Sequence, residues 1–185
     1  MLAECEDYDL REKIGGVEYL MSPPSTAHIR IRKHIEMAFH AYLAGKRCEA
    51  FSEIGVWLND EDMVIPDVLI VCDKDKIKYD GIHGAPDLIV EILSPATSKK
   101  DRTVKLKLYE QSGVKEYWIV SPKGKSIDVY KLQDGKFEME DVYHLLEPYE
   151  WNMLSEEEQA KQKLFLKVSL YNDLELSLQD IFKDT

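Results

Sequence analysis

Residues 86 to 95 read Pro-Asp-Leu-Ile-Val-Glu-Ile-Leu-Ser-Pro, and this stretch limits the fold more than any other in the chain. Leu88, Ile89, Val90, Ile92 and Leu93 are branched apolar residues bounded by Pro86 and by Ser94-Pro95, the pattern of a central β-strand. Glu91 stands in the middle of that run. Strand side chains alternate, so Asp87, Ile89, Glu91 and Leu93 share one face. An ionised carboxylate in such a place needs a counter-charge, a metal or several hydrogen bonds. A plainer alternative is a backbone cap or a surface ion pair, since salt-bridge networks also put acids on strands.

A second apolar run, Val64-Ile65-Pro66-Asp67-Val68-Leu69-Ile70-Val71, carries one acid in the same Pro-Asp context. Neighbouring strands lie about 4.8 Å apart, so if the two runs pair, Asp67 and Glu91 can bracket a single ion. After Ser94-Pro95-Ala96-Thr97-Ser98 a helix is expected from near Lys100 to Ser112, stopped by Gly113. Asp101, Lys105 and Tyr109 fall on one face of it. The bland reading of that face is an Asp-Lys pair worth about 0.3–0.5 kcal/mol.

The remaining elements follow from periodicity. Val17 to Met21 reads as a first strand after a Gly15-Gly16 turn. Ala27 to Leu43 is an amphipathic helix with Ile31, Ile35, Ala38, Phe39 and Tyr42 on one side. His28 lies in its first turn, where a histidine is more commonly structural than catalytic. Arg47 to Leu58 alternates and meets a turn at Asn59 to Asp62, which predicts a hairpin. Residues 73 to 85 read as an exposed loop. Val114 to Val120 and Ser126 to Leu132 flank a Pro122-Lys123-Gly124 turn, with another strand from Lys136 to Val142. Tyr117 and Trp118 belong to the core. Residues 165 to 170 and 174 to 181 resume an apolar rhythm.

The net charge of −11 argues against coating nucleic acid by bulk attraction. Eight acids between Glu138 and Glu158, with no Lys or Arg among them, supply most of that excess. Two basic clusters stand elsewhere: Arg30, Arg32 and Lys33, then Lys99, Lys100, Arg102, Lys105 and Lys107. Each is a solvated face or a set of phosphate contacts. No run approaches the length of a membrane span, and the acidic amino terminus lacks the form of a secretory signal. Cys5, Cys48 and Cys72 are odd in number and lack metal-ligand spacing, which predicts free thiols and a cytoplasmic protein.

Two strand carboxylates with a nearby lysine suit Mg²⁺-assisted hydrolysis of a phosphodiester. Mg²⁺ favours oxygen ligands, keeps several waters, and is commonly held by one or two carboxylates and a substrate phosphate.

Several motifs together carry a resemblance: Met21-Ser22-Pro23-Pro24 with His28, Pro66-Asp67-Val68, Pro86 to Pro95 with Thr97, Asp101 with Lys105 and Tyr109, and Gly113-Val114-Lys115-Glu116-Tyr117-Trp118-Ile119-Val120. In this order they resemble the Uma-type putative restriction endonuclease family of the PD-(D/E)XK nuclease superfamily, over roughly residues 12 to 132 and more weakly over 164 to 182. The resemblance implies an α/β (α+β) fold with a mixed β-sheet flanked by helices. It implies one nuclease-like domain over residues 1–185, with an acidic insertion at about 140–163. It also implies a deoxyribonuclease using Mg²⁺ or Mn²⁺ on DNA, with Asp67 and Glu91 as metal ligands and catalytic acids, and a homodimer as one assembly. Leu93 stands where the superfamily places a lysine, and the matching basic residue is Lys105 on the next helix. Asp87 sits about 13 Å from Glu91 along an extended strand, at about 3.3 Å per residue, and is expected to serve the start of that strand. The alternative functions are a nuclease fold that binds nucleic acid or protein without turnover, and a dimerising scaffold whose acids are salt-bridge partners.

Overall fold

In this computed structural model, which describes residues 10–185, the chain first doubles back at Gly15-Gly16. Both glycines have positive φ, +57° and +77°. That is what a two-residue turn between strands of ordinary twist requires. The turn joins β1 (Arg11–Ile14) to β2 (Val17–Leu20), with Ile14 opposite Val17. The reading of the amino terminus and of Cys5 falls outside the described residues.

The first helix, α1 (Thr26–Leu43), starts where the Ser25 side chain accepts the backbone N–H of His28. Ile31, Ile35, Phe39 and Leu43 recur every four residues and are all buried. Each side chain removed from water in this way contributes on the order of 2 kcal/mol. Gly45, with φ +75°, follows the end of the helix.

Next come β3 (Glu49–Phe51), β4 (Val56–Trp57), β5 (Met63–Val64) and β6 (Val68–Val71). The expected hairpin at Asn59 to Asp62 joins only β4 to β5, while β3 pairs antiparallel with β6 in a different sheet. The apolar run from Val64 to Val71 is likewise two strands rather than one. Pro66 offers no N–H to a ladder, and the chain changes sheets there.

The segment expected as an exposed loop holds a 3₁₀ turn at Lys74–Lys76 and two short paired strands, β7 (Ile77–Lys78) and β8 (Gly81–His83), with Ile82 fully buried. Gly81 is required here, because a Cβ would lie 2.4 Å from the Gly55 carbonyl oxygen and the Trp57 ring.

The central strand is β9 (Leu88–Ile92), buried at every position. It is followed by α2 (Ser98–Lys100), a π-helical turn over Asp101–Lys105, and α3 (Leu106–Ser112). Gly113, at φ +84°, caps the end. Then β10 (Glu116–Ser121), β11 (Ser126–Gln133) and β12 (Lys136–His144) form a meander. The acidic segment contains α4 (Pro148–Met153) and α5 (Glu156–Ala160), opened by reciprocal capping of Glu147 with Glu150 and of Ser155 with Glu158. The strands β13 (Phe165–Lys167) and β14 (Glu175–Ser177) pair, and α6 (Leu178–Ile181) follows.

The main sheet runs β12-β11-β10-β9-β6-β3, mixed because β9 and β10 are parallel. A second six-stranded sheet runs β2-β1-β5-β4-β8-β7. One face of the main sheet packs on α1 and the carboxy-terminal elements through Val68, Ile70, Leu88, Val90, Trp118 and Val120. The other, carrying Leu69, Ile89, Tyr117 and Ile119, packs on α3 and the second sheet. Alternation assigns Glu91 to this second face, so the site lies between main sheet, helix and second sheet.

Cys48 and Cys72 form a disulfide, which corrects the expectation of free thiols for these two residues. The reason is register. Glu49 opposes Val71 in the β3–β6 pair, and one step outward sets Cys48 against Cys72, with Cα atoms 3.9 Å apart. Cysteine usage therefore gives no pointer to a reducing compartment. Among the described residues no helix is long and apolar enough to cross a membrane.

Candidate active site

The antiparallel pairing of β6 with β9 matches Val68 to Val90. Continued one step, it sets Asp67 opposite Glu91 on one face. Asp67 is fixed at both oxygens. Its Oδ1 is 2.7 Å from His28 Nε2, and its Oδ2 accepts the backbone N–H of Ile92 at 2.6 Å. Glu91 Oε1 accepts from Lys105 Nζ at 2.9 Å and from the Tyr109 hydroxyl at 2.6 Å. Both donors take the same oxygen, which leaves Oε2 to the cleft. A further acid comes from β1: Glu12 Oε1 lies 2.6 Å from Lys105 Nζ and accepts the Ile65 N–H at 3.2 Å, while its Oε2 accepts from Lys100 at 3.0 Å. Asp101 Oδ1 is 3.8 Å from Lys105.

The π turn aims these groups. It places Lys105 between Glu12 and Glu91, with Tyr109 one turn on against Glu91, while the Tyr117 hydroxyl steadies the turn by donating to the Asp101 carbonyl at 3.1 Å. Wide turns of this kind are uncommon and recur at functional sites. A cleft of about 780 Å³ opens over Glu12, His28, Asp67, Glu91, Asp101 and Lys105.

The electrostatics are unbalanced. Glu12, Asp67, Glu91 and Asp101 are all buried, and Lys105 is the buried ammonium that faces them. Burial pushes the Glu91 carboxyl well above its ordinary range; the Lys105 charge opposes this, while Asp101, Asp67 and Glu12 add to it. Burial also raises Asp101, against the pull of Lys105. Glu12 moves the other way, because Lys105 and Lys100 outweigh its desolvation. For Lys105, burial disfavours the charge, but Glu91, Glu12 and Asp101 overcome it and raise its affinity for the proton. The ammonium and Glu12 are thus pushed towards their charged forms, and Glu91 is the acid whose charge is least relieved. Of the three buried polar atoms without a hydrogen-bond partner among the described residues, His28 Nδ1 and Asp101 Oδ1 belong to residues of this cleft and the third is Arg32 Nε.

This donor set fits a hard divalent cation. The facing oxygens belong to carboxylates, and added positive charge would relieve the crowding at Glu91. Among the described residues no three His, Cys, Asp or Glu side chains form a ready metal cluster. The protein's share would be the Asp67–Glu91 pair, and Mg²⁺ commonly takes one or two carboxylates and completes its shell with water.

The family model described as Uma2, putative restriction endonuclease, matches residues 4–166. The chain belongs to this family. The span matched to Uma2 contains every residue of the cleft just described and ends inside β13. "Uncharacterized protein slr1290" of Synechocystis sp. is similar, at 32% identity over 126 residues, which are 66% of this chain and 66% of that protein. The chain thus spans about two thirds of the length of that relative. A crystal structure of a putative nuclease belonging to DUF820 from Anabaena variabilis superposes with a TM-score of 0.69 at 23% identity, covering 93% of this chain and 89% of that one. That likeness bears out the mixed sheet flanked by helices.

Of the residues singled out in the sequence, His28, Asp67, Glu91, Asp101, Lys105 and Tyr109 come together in this Uma2 chain. Asp87 does not. Its Oδ2 accepts the Cys72 N–H at 2.7 Å and its Oδ1 meets Lys115 at 2.7 Å, at the far end of β9. Glu12 and Lys100 were missed as site residues. The available signal was the alternation of Glu12 with Ile14 before a double glycine, which marks a hairpin with one buried face. Much of the basic clusters is also committed internally. Arg102 pairs with Asp128 at 2.5 Å, Arg32 with Glu53, and Arg30 donates to the Asp184 carbonyl.

Proposed function

We propose that the protein is a Mg²⁺-dependent (or Mn²⁺-dependent) deoxyribonuclease of the PD-(D/E)XK type, with Asp67 and Glu91 as the metal-holding carboxylates and Lys105 as the active-site cation. The observation that carries this reading is Asp67 facing Glu91 across two paired strands, with the Lys105 ammonium 2.9 Å from Glu91 at the floor of an open cleft. Membership of a family described as putative restriction endonuclease supports it. The lysine absent at Leu93 is supplied in space by Lys105, from the next helix.

When bound, the divalent cation would supply charge stabilisation for the phosphoryl oxygens and acidify a water. The chain's own residues prepare for it. His28 and the Ile92 N–H hold both Asp67 oxygens in one orientation. Tyr109 and Lys105 fix one oxygen of Glu91 and turn the other outward. Lys105 keeps its proton in this acidic surrounding, so its role is to offset negative charge developing on phosphorus rather than to act as a base. Glu12 tethers that ammonium from the opposite side.

The test is nicking of supercoiled plasmid with Mg²⁺ or Mn²⁺. Glu91→Gln is expected to abolish nicking, and equal nicking by both proteins would overturn the assignment. Salt-sensitive DNA binding without cleavage in any divalent metal would select instead a nuclease-fold module that binds without turnover.

A further inference from the structure

The cleft has a second character beside its acidic floor. One wall is apolar, and several of the exposed large hydrophobic side chains of the molecule gather on it: Leu10, Tyr19 and Leu20 from the β1–β2 hairpin, and Val104 from the π turn. Tyr19 lies on β2, the outermost strand of the second sheet. Lys100 joins wall to floor, with its ammonium 4.7 Å from the centre of the Tyr19 ring and 3.0 Å from Glu12. The tyrosine ring is therefore held at the edge of the acid cluster, partly exposed to whatever occupies the cleft.

We infer that this wall is a stacking platform for unpaired bases, and that the substrate is single-stranded DNA or an unpaired stretch within a duplex. The inference rests on the nuclease reading of the floor and names its substrate class. In a duplex the bases are already paired and stacked, so a flat apolar wall beside a backbone-cutting site has nothing to receive. An unpaired strand offers a backbone to the floor and a π-face to Tyr19 in one stroke, and base–aromatic stacking of this kind grips single strands without sequence preference. Size points the same way, since a cleft of about 780 Å³ is on the scale of pockets that hold one small ligand, about 300–1,000 Å³. Charge does too. A chain of net charge −11, whose Arg32, Lys100, Arg102 and Lys105 are already paired with its own acids, keeps only Lys33, Lys99 and Lys107 of its two basic clusters outside ion pairs among the described residues, with Arg30 turned to the Asp184 carbonyl. These are few cations with which to track the phosphates of a long duplex.

The test is fluorescence anisotropy with a short labelled oligothymidine and with the same strand annealed to its complement. It is run on wild type in EDTA and on Glu91→Gln in Mg²⁺, so that turnover does not consume the probe. Single strand is expected to bind at least about 10-fold more tightly than duplex, and Tyr19→Ala to weaken single-strand binding by about 10-fold while Tyr19→Phe retains it. Circular dichroism melts check that the exposed substitutions leave the fold intact. Equal affinity for both probes, or no change in Tyr19→Ala, would overturn the inference. A cleavage assay on both probes in Mn²⁺ separates this from the reading of the floor. Single-strand preference without cleavage in any metal would sink the nuclease and leave the platform standing. Duplex cut as fast as single strand, by wild type and Tyr19→Ala alike, would do the reverse.

Discussion

Two glutamates on adjacent strands of the main sheet are both buried, yet they are handled in opposite ways. Glu116, at the start of β10, is fully buried and accepts from the Trp118 indole N–H at 2.6 Å, the Ser169 backbone N–H at 2.9 Å and the Ser169 hydroxyl. Its partners are neutral donors spread over both oxygens, and among the described residues no ion pair reaches it. Glu91, on the opposite face of β9, has three other carboxylates for neighbours and shares one ammonium with two of them, Glu12 and Asp101. Burial is common to the two. What separates a structural acid from a chemical one is unrelieved like charge in an open cleft.

That contrast is testable, and the largest effect is expected at Lys105. Lys105→Met strands Glu12, Glu91 and Asp101 without their common ammonium, which should cost about 3–5 kcal/mol in urea unfolding. A loss of the size of a surface ion pair, about 1 kcal/mol or less, would mean that the cluster is already balanced without the lysine. Glu116→Ala comes next. It leaves the buried Trp118 indole N–H without an acceptor and removes the anchor of the exposed Ser169, at a cost on the order of 2 kcal/mol. The loss should be the same with and without Mg²⁺; a metal-dependent loss would blur the distinction between the two glutamates.

The smallest effect belongs to Glu91→Gln, and its sign depends on pH. The folded protein holds the Glu91 proton more tightly than the unfolded chain, whose ordinary value is 4.5. The stability gained from that proton is complete below 4.5 and is lost as pH rises towards the higher folded value. Glutamine imitates the protonated acid at every pH. In metal-free buffer its melting temperature should therefore gain on wild type as pH rises, by a few degrees for about 1 kcal/mol. Mg²⁺ should then raise the wild-type Tm and leave Glu91→Gln unmoved. A constant gap across pH would show that burial of charge at Glu91 is not what sets it apart from Glu116.

Much of this organisation was legible from residue order. The run around Glu91, the Pro-Asp context of Asp67 and the helix face carrying Lys105 each follow from short-range periodicity, and the structure brings them together. His28 was legible as a position but not as a partner, because only the packing of α1 against the main sheet brings its ring to Asp67. Glu12 was hidden for a related reason. Its burial depends on a second sheet assembled from two-residue strands such as β4 and β5, too short to leave a periodic trace. The Cys48–Cys72 bond needed the register of β3 on β6, which the sequence does not state. Pro66 could have shown that Val64 to Val71 is two strands, since proline in a central ladder argues against a single one.

The π turn has a consequence for how relatives of this chain are compared. A regular helix advances by 100° per residue, since it has 3.6 residues per turn. The π turn holds one residue more than a regular turn over nearly the same rotation, so a relative lacking one residue between Asp101 and Lys105 would rewind as regular helix and still present its lysine and tyrosine to the glutamate. The same loss from the regular helix between Leu106 and Tyr109 would swing the tyrosine by about 100° and take it from Glu91 while leaving the lysine in place. The place of a one-residue gap in an alignment, rather than its presence, would mark the difference between an intact site and a dismantled one.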